Sequence, residues 1–194
     1  MKSLIVVGND KLGRRFINSI DQEKYHIVLD ESSSINRILK LVKKKVLRPS
    51  LILKMFIANL LRQDFKIKHT YESINTNNEL IQIIKGHEIE QVILYRGGLI
   101  INKNILDLGI EVLNIHCAKI PEYGGIGVID RALKDKAYDQ EATLHIITEK
   151  IDDGEIIAIE PYKLKKNTNY RENEDIAYAA GIKLFNKYIK EMEK

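Results

Sequence analysis

Three polar side chains in the second half of the chain have the types and spacing to move a proton and stabilise an oxyanion. Asn114 and His116 lie two positions apart in VLNIH, so on a strand both side chains project from one face. Asp152 follows a second apolar run, in the turn IDDG. An imidazole titrates near neutral pH, an amide can donate to developing negative charge, and a carboxylate can orient the imidazole. This combination favours an enzyme.

Two predicted strand ends and a loop would bring these groups together. Ile110–His116 is a short apolar run typical of a buried strand, and Ala142–Thr148 is a second one. Pro121, Gly124 and Gly125 interrupt regular structure after the first of these strands and predict a loop there. The site residues are therefore expected on rigid strand ends beside one loop.

Strands alternate with helices along the whole chain. This order predicts an α/β fold with a mostly parallel twisted sheet and flanking helices, and residues 1–194 are expected to form one domain ending in a helix. Ligands bind beyond the carboxyl ends of such strands, where Gly8, Arg96 and His116 fall. The other predicted strands are Leu4–Val7, His26–Leu29, a short strand within Ile67–Ile74, Gln91–Tyr95 and Glu155–Leu164. The predicted helices follow Asp10, Ser34 and Asn78, span Ser50–Arg62 and Val128–Lys134, begin near Asn104, and run from Glu174 to the end.

Composition narrows the class of protein. The net charge of +4 suits a small anionic substrate but gives no concentrated basic stripe for nucleic acid. A single cysteine excludes an intrachain disulfide framework and is typical of a reducing compartment, so a cytoplasmic protein is expected. No apolar run approaches the ~20 residues that span a bilayer.

Two consecutive segments have an unusual composition. Ile35 to about Leu47 predicts a basic amphipathic helix, capped by Ser34 and stopped by Pro49. The side chains expected to face inward are Ile35, Ile38, Leu39, Val42 and Val46. Its lysines indicate a solvated face or, alternatively, a patch for anions or a membrane surface. Ser50–Arg62 is apolar enough to predict a core helix, with a subunit contact, as in a homodimer, as the alternative.

The stretch around the candidate site resembles the formyltransferases that use 10-formyltetrahydrofolate. Their signature is an Asn-x-His at a strand end, a Leu-Pro-x-Tyr-x-Gly loop, and a later His followed by an Asp-x-Gly turn. The matching segments here are Asn114–His116, Ile120–Gly125, His145 and Asp152–Gly154. The resemblance covers Gln91–Leu164 well, and the first ninety residues only as a general strand–helix pattern.

The resemblance implies a role for each residue. It makes Asn114, His116 and Asp152 catalytic, and the family spacing of seven positions after His145 selects Asp152 over Asp153. It implies a folate site, with backbone groups pairing with the pterin, at Arg96, Gly97, Gly98, Leu99 and Ile100, closed by Ile151 and Asp152. Lys119 and Tyr123 would bind the acceptor substrate. The family usually has Pro-Ser where this chain has Cys117-Ala118, which leaves the loop geometry open.

Each residue also has a structural alternative. His116 could be a satisfied core histidine, Asn114 could bond a neighbouring loop, Asp152-Asp153-Gly154 is a good hairpin turn, and Arg96–Ile100 could be an ordinary strand-to-loop turn. His145 is expected to support the site rather than to catalyse. Cys117 invites interpretation as a nucleophile, but no base is assigned to it. The histidines and the cysteine show no ligand-spaced pair, so no metal site is predicted.

The resemblance leaves several acceptors open. The nucleotide-sugar branch, which formylates amino groups such as that of dTDP-4-amino-4,6-dideoxyglucose for O-antigen and lipopolysaccharide biosynthesis, is favoured. Phosphoribosylglycinamide formyltransferase is the alternative, although its Gly-Ser-Asn phosphate loop is replaced by Gly8-Asn9-Asp10. The methionyl-tRNA branch carries a further C-terminal barrel for tRNA, for which this chain leaves no room, so no nucleic-acid partner is expected. A folate-binding inactive paralogue is the non-enzyme alternative.

Overall fold

Short apolar runs form seven strands of one sheet. The structure is a computed structural model that describes residues 2–33, 35–45 and 47–193, and it describes residues 35–37 by their backbone alone. The strands are β1 (Ser3–Gly8), β2 (His26–Asp30), β3 (Glu72–Ile74), β4 (Gln91–Tyr95), β5 (Glu111–His116), β6 (Asp139–Ile146) and β7 (Ile156–Lys163). They lie in the order β3-β2-β1-β4-β5-β6-β7. The first five strands are parallel, whereas β6 and β7 pair antiparallel, which confirms the predicted fold class.

Helices connect these strands and flank the sheet. They are α1 (Lys11–Ile17), α2 (Ile35–Lys43), α3 (Pro49–Leu61), α4 (Asn77–Gly86), α5 (Lys103–Leu106), α6 (Val128–Lys134) and α7 (Tyr170–Met192). Asp10 caps α1 as predicted, because its side chain accepts from the backbone N–H of Gly13. The predicted cap at Ser34 and the inward placing of Val46 lie outside the described residues.

The core lies on both faces of the sheet. In β1, Ile5 and Val7 pack in one cluster with α7, while Leu4 and Val6 pack in the other with α4. Burying one such side chain stabilises the fold by about 1.5–3 kcal/mol. A strand with two buried faces cannot slip in register without exposing apolar side chains, so the carboxyl ends of the strands are firmly placed.

Several predicted boundaries differ from the observed ones. β6 begins at Asp139 and ends at Ile146, because pairing with β5 and β7 extends its start and the chain turns away before Thr148. The last helix begins at Tyr170 rather than Glu174, since Asn169 caps it. Pro49 begins α3 as well as ending the preceding segment, because proline is tolerated in the first turn of a helix.

The prediction that α3 is a core helix is wrong for most of its apolar side chains. Leu51 and Ala58 are buried against the protein, whereas Phe56 and Leu60 are 65% and 63% exposed. In α2, Leu39 is also exposed, although the sequence predicts that it faces inward. Helix α3 therefore packs against the protein through the face that carries Leu51 and Ala58. Most of its other apolar side chains are exposed to the surroundings.

No helix in the described ranges is both long and apolar enough to cross a membrane.

The carboxyl ends of β1, β2, β4 and β5 meet at one edge of the sheet. The backbone after β4 passes so close to β1 that a Cβ atom on Gly8 would lie 2.3 Å from the carbonyl oxygen of Arg96. Only glycine permits this approach. The close passage places Arg96 and the residues that follow it beside the end of β5, which carries His116.

Candidate active site

Asn114, His116 and Asp152 converge at this edge of the sheet. The Nδ2 atom of Asn114 lies 3.4 Å from Oδ1 of Asp152, and Nδ1 of His116 lies 3.4 Å from Oδ2 of the same carboxylate. β5 holds the first two residues, and a turn after β6 supplies the aspartate in a left-handed conformation, with φ of 50°. Asp153 instead faces outward and pairs with Lys150 at 3.3 Å.

His145 adds a fourth polar side chain to the cluster. It is almost completely buried, its Nε2 lies 3.1 Å from Nδ2 of Asn114, and its Nδ1 lies 3.0 Å from the carbonyl oxygen of Ile146. A carbonyl oxygen only accepts, so Nδ1 carries a proton and, in the neutral ring, Nε2 accepts from Asn114. His145 thereby fixes the amide of Asn114 with its nitrogen toward Asp152.

The loop after β5 supplies the other contacts of the two central residues. Nε2 of His116 donates to the carbonyl oxygen of Tyr123 at 2.8 Å, so Nδ1 is the ring atom left to exchange a proton. The backbone N–H of Gly125 donates to Oδ2 of Asp152 at 2.7 Å. Arg131, from α6, donates to the carbonyl oxygen of Gly124. The loop also contains a cis peptide bond between Ile120 and Pro121.

The pKa values of both His116 and Asp152 are lowered in this site. Burial lowers the pKa of the His116 imidazole, and the Asp152 carboxylate only partly opposes this shift. Burial favours the neutral form of Asp152, but three contacts outweigh it. Nε2 of His145 lies 3.4 Å from Oδ1 and can donate to it when this nitrogen is protonated, His116 can carry a positive charge, and the Gly125 N–H donates to Oδ2. These contacts hold the pKa of Asp152 at about 2. The site therefore combines a firmly ionised carboxylate with an imidazole that readily releases its proton.

Cys117 does not have the properties of a nucleophile. Its thiol is buried, and burial raises its pKa to about 12, so it is protonated at neutral pH. A Cβ atom added to Gly181 of α7 would lie 2.8 Å from Sγ of Cys117. The side chain is thus closely packed against the last helix.

The segment from Arg96 to Ile100 lies beside this polar cluster and is held by Asp30. Oδ2 of Asp30 accepts from the backbone N–H groups of Gly98 and Leu99 at 2.5 Å and 2.7 Å. Asp30 is buried at the end of β2, and its position after a short apolar run predicts only the end of a strand. The two N–H groups that it binds belong to the predicted folate segment.

The guanidinium group of Arg96, a predicted folate-binding residue, already contacts three other side chains of the protein. Its Nε donates to Asp10, its Nη1 lies 3.6 Å from Oε1 of the buried Glu174, and its guanidinium lies 4.5 Å from the ring centre of Tyr178. Glu174 also pairs with Arg62 at 2.8 Å. The sequence carried no local signal for this network, because its members are distant along the chain.

A cavity of about 750 Å³ connects these groups. Its polar end holds Asn114, His116, His145 and Asp152, and Arg96, Asp10 and Glu174 lie along another part of its wall. Predicted folate residues line it as well: Gly97, Gly98, Leu99, Ile100 and Ile151. Ile100 and Ile151 are 57% and 64% exposed, so apolar surface remains open at its mouth.

The two predicted acceptor residues are not among those that line this cavity. Lys119 extends outward and lies 3.5 Å from Glu122. The half-buried Tyr123 ring packs against the hydrophobic core, and its hydroxyl group donates to Asp135 at 3.3 Å. Both residues would meet only a ligand that extends past the loop.

Within residues 2–33, 35–45 and 47–193, no group of three or more His, Cys, Asp or Glu side chains is arranged to hold a metal ion.

Comparison with known proteins gives a consistent result. The model of the formyl transferase family matches residues 9–179. The chain is 25% identical to the methionyl-tRNA formyltransferase of Finegoldia magna over 126 residues, which cover 64% of this chain and 40% of that protein. It is 33% identical to the enzyme of the same name from Natranaerobius thermophilus over 96 residues, 49% of this chain and 30% of that one. The chain thus spans less than half the length of these curated relatives.

Solved structures share the fold. Phosphoribosylglycinamide formyltransferase from Streptococcus pneumoniae TIGR4 superposes with a TM-score of 0.66 and 18% identity, covering 100% of both chains. A Mycobacterium tuberculosis protein with a suggested sugar N-formyltransferase activity superposes with a TM-score of 0.61 and 13% identity, covering 96% of this chain and 67% of that one.

Proposed function

The chain belongs to the formyl transferase family, and from this membership we propose that it transfers a formyl group from 10-formyltetrahydrofolate to an amino group of a nucleotide-linked sugar. The observation that carries the proposal is the convergence of Asn114, His116 and Asp152 at the polar end of a cavity with an apolar mouth. Formyl transfer needs an unprotonated amine, a stabilised oxyanion and a proton for the departing nitrogen.

Each residue of the cluster has a chemical task in this proposal. His116 accepts the amine proton at Nδ1, the ring atom that faces Asp152, and its lowered pKa keeps it able to do so at neutral pH. Asn114 donates from Nδ2 to the formyl oxygen. To do so it gives up its 3.4 Å contact with Asp152 and keeps its 3.1 Å contact with His145. Asp152 stabilises the imidazolium that forms, and the imidazolium then passes this proton to the departing folate nitrogen as its bond to the formyl carbon breaks.

The cavity fits a folate donor in size and lining. Small-molecule sites typically measure ~300–1,000 Å³ and are mostly apolar with a few polar groups. A flat pterin would rest against Leu99 and beneath the exposed Ile100 and Ile151. Gly97 and Gly98 carry no side chains there, and Asp30 holds the backbone N–H groups of Gly98 and Leu99. When bound, the folate supplies the formyl group on a nitrogen that can leave.

Asp10 argues against an acceptor whose phosphate sits at the turn after β1. Its Oδ1 accepts from the N–H of Gly13 at 2.9 Å, and its Oδ2 pairs with Arg96. The Asp10 carboxylate therefore already binds the N–H group at the start of α1 and the nearest guanidinium, so neither is free for a phosphate. A phosphate placed there would meet a like charge. This observation supports the sugar branch over phosphoribosylglycinamide.

A nucleotide-linked amino sugar separates its amine from its phosphates. The amino sugar could enter the cavity, where carboxylates attract an amine, while the diphosphate and base remain beyond the loop. Lys119 and Tyr123 belong to this loop, lie outside the cavity lining and offer a cation and an aromatic ring. We therefore keep both as proposed acceptor-binding residues.

An acceptor panel tests the proposal. The protein is incubated with 10-formyltetrahydrofolate and, separately, with dTDP-4-amino-4,6-dideoxyglucose, glycinamide ribonucleotide or methionyl-tRNA, and loss of the donor is followed. Efficient use of the amino sugar alone is expected. Efficient formylation of glycinamide ribonucleotide or methionyl-tRNA would contradict the proposed acceptor. Donor binding without turnover on any amine would favour the inactive paralogue.

A further inference from the structure

The segment between β2 and β3 has a charge pattern found nowhere else in the chain. From residue 32 to residue 63 it contains no Asp or Glu, whereas both neighbouring positions, Glu31 and Asp64, are acidic. The basic residues in this interval are Arg37, Lys40, Lys43, Lys44, Lys45, Arg48, Lys54 and Arg62. Such a long interval with cations alone gives this part of the molecule a positive field.

Four of these cations have no ion-pair partner among the residues that the structure describes. Lys40, Lys43, Lys44 and Lys45 are exposed, and in the described part of the chain no carboxylate lies within ion-pair distance of them. The cations of α3 differ. Lys54 pairs with the buried Asp130 at 2.8 Å, and Arg62, just after the helix, pairs with the buried Glu174. The latter two contacts anchor α3 to the body of the protein.

The anchored helix presents an apolar stripe to the surroundings. Exposed apolar side chains recur with the spacing i, i+3, i+4, i+7 and i+8, which places them on one face of a helix. They are Leu53 (59% exposed), Phe56 (65%), Ile57 (44%), Leu60 (63%) and Leu61 (62%). The buried Leu51 and Ala58 lie on the opposite face. The stripe thus belongs to a helix that is held in place, and the exposure of so much apolar surface to water is unfavourable.

We propose that this surface docks the protein on a membrane that contains anionic phospholipids. The α2–α3 surface is defined as the four lysines of α2 and the turn after it, together with the five apolar side chains of α3. Apolar side chains that enter the interface and lysines that meet anionic headgroups are the two contributions that hold peripheral helices on bilayers.

Charge distinguishes this occupant from the two obvious alternatives. In a symmetric dimer the same patch meets itself, so the unpaired lysines of both copies would face each other without a counter-charge. An RNA would neutralise the lysines but would leave the apolar stripe in water. An anionic bilayer satisfies both parts of the surface.

Docking would also hold the catalytic cavity beside the bilayer. Ile38 and Leu41 of α2 and Met55 of α3 line the cavity, so the same two helices form its wall and the proposed contact. Their other sides carry the lysines and the stripe. Enzyme turnover would then occur close to the membrane plane.

Vesicle sedimentation tests the proposal. The purified protein is mixed with phosphatidylcholine vesicles and with vesicles containing about 30% phosphatidylglycerol, a fraction that gives a negative surface potential. We expect binding to the anionic vesicles only, and weaker binding as salt is raised from about 0.1 to 0.5 M.

Paired variants identify the surface. One lysine near an anionic surface is worth roughly fivefold in partition, so Lys43→Glu with Lys44→Glu should weaken binding at least ~25-fold. Phe56→Ser with Leu60→Ser should weaken it at least ~10-fold, and because both side chains are exposed the fold should be unaffected. The charge control is Lys187→Glu with Lys190→Glu on α7, and the apolar control is Ile157→Ser with Ile159→Ser on β7. Both controls should bind within about threefold of the wild type, since their sites lie outside the α2–α3 surface.

Three results would overturn the proposal. The first is no preference of the wild type for anionic vesicles, or binding that the surface variants leave intact. The second is a dimer in light scattering that Phe56→Ser with Leu60→Ser dissolves, without vesicle binding, which would assign the surface to a second copy. The third is tRNA binding that only the lysine variant weakens, without vesicle binding, which would assign it to RNA.

Discussion

His116 and Asp152 face each other through Nδ1 and Oδ2 at 3.4 Å, while the other ring nitrogen of His116 is occupied by the Tyr123 carbonyl oxygen. The arrangement favours the cationic ring electrostatically, but burial opposes it more strongly and the pKa of His116 is lowered. Any change in its protonation therefore occurs at Nδ1, beside a carboxylate that stays ionised.

Asp152→Asn should lower the pKa of His116 still further, because it removes the group that raises this pKa most. The change is measured from the ring-proton resonances of the five histidines as a function of pH. Asp153→Asn is the matched control, since Asp153 pairs with Lys150 at the surface. An equal shift in both variants, or an upward shift in Asp152→Asn, would contradict the proposed pairing.

Asp152 should also make the fold sensitive to strong acid. Its folded pKa of about 2 lies below the ordinary aspartate pKa of 3.8, so the stability that it contributes is fully present above about pH 4. That contribution is lost as the pH falls toward 2. Thermal unfolding measured between these pH values should show a steeper loss of stability in the wild type than in Asp152→Asn. Parallel curves would mean that the carboxylate is not stabilised in the fold.

His116→Ala should lower formyl transfer at least ~100-fold while leaving folate binding near normal, because in the proposed function the imidazole moves a proton and does not line the apolar mouth. Turnover and donor affinity are measured separately, the latter by calorimetry. His69→Ala is the control, since His69 is an exposed loop residue. Near-normal turnover in a folded His116→Ala protein would eliminate the assignment.

Ile151→Ser should weaken donor binding about tenfold, the cost of losing one buried apolar side chain. The side chain is 64% exposed at the cavity mouth, so its replacement should leave the melting temperature unchanged. Ile156→Ser on β7 removes a similarly exposed isoleucine that does not line the cavity. If both variants bind folate as the wild type does, the pterin does not lie under Ile151.

Tyr123→Ala should raise KM for the nucleotide sugar more than it lowers kcat, because the proposed contact lies away from the reacting amine. Tyr123→Phe keeps the ring and loses only the contact of the hydroxyl group with Asp135, so its KM should stay near that of the wild type. A fall in kcat alone would indicate that the ring positions the loop rather than the acceptor.

The sequence predicted the parts of the molecule that local patterns determine. Strand residues Leu4–Val7 and Gln91–Tyr95 are short apolar runs, and such runs are typical of parallel strands that are buried on both faces. The relation of Asn114 to His116 follows from the two-residue period of a strand. The start of α7 was missed although Asn169, followed three positions later by Glu172, is a capping signal.

Long-range relations could not be predicted in the same way. The pairing of Arg96 with Asp10 and Glu174 joins residues far apart along the chain, and nothing in their neighbours specifies it. The apolar stripe of α3 is visible in the sequence, but periodicity does not say whether a stripe faces the core or the surroundings. Which face of the helix is buried depends on which other elements already cover the sheet.

The most direct measurement follows a formyl label from donor to product. Labelled 10-formyltetrahydrofolate and dTDP-4-amino-4,6-dideoxyglucose are mixed with the protein, and the products are analysed by mass spectrometry. The proposed function predicts that the label appears in an amide on the sugar, and that Asn114→Ala, His116→Ala and Asp152→Asn each suppress it. Label recovered only as formate, or an amide formed equally well by all three variants, would contradict it.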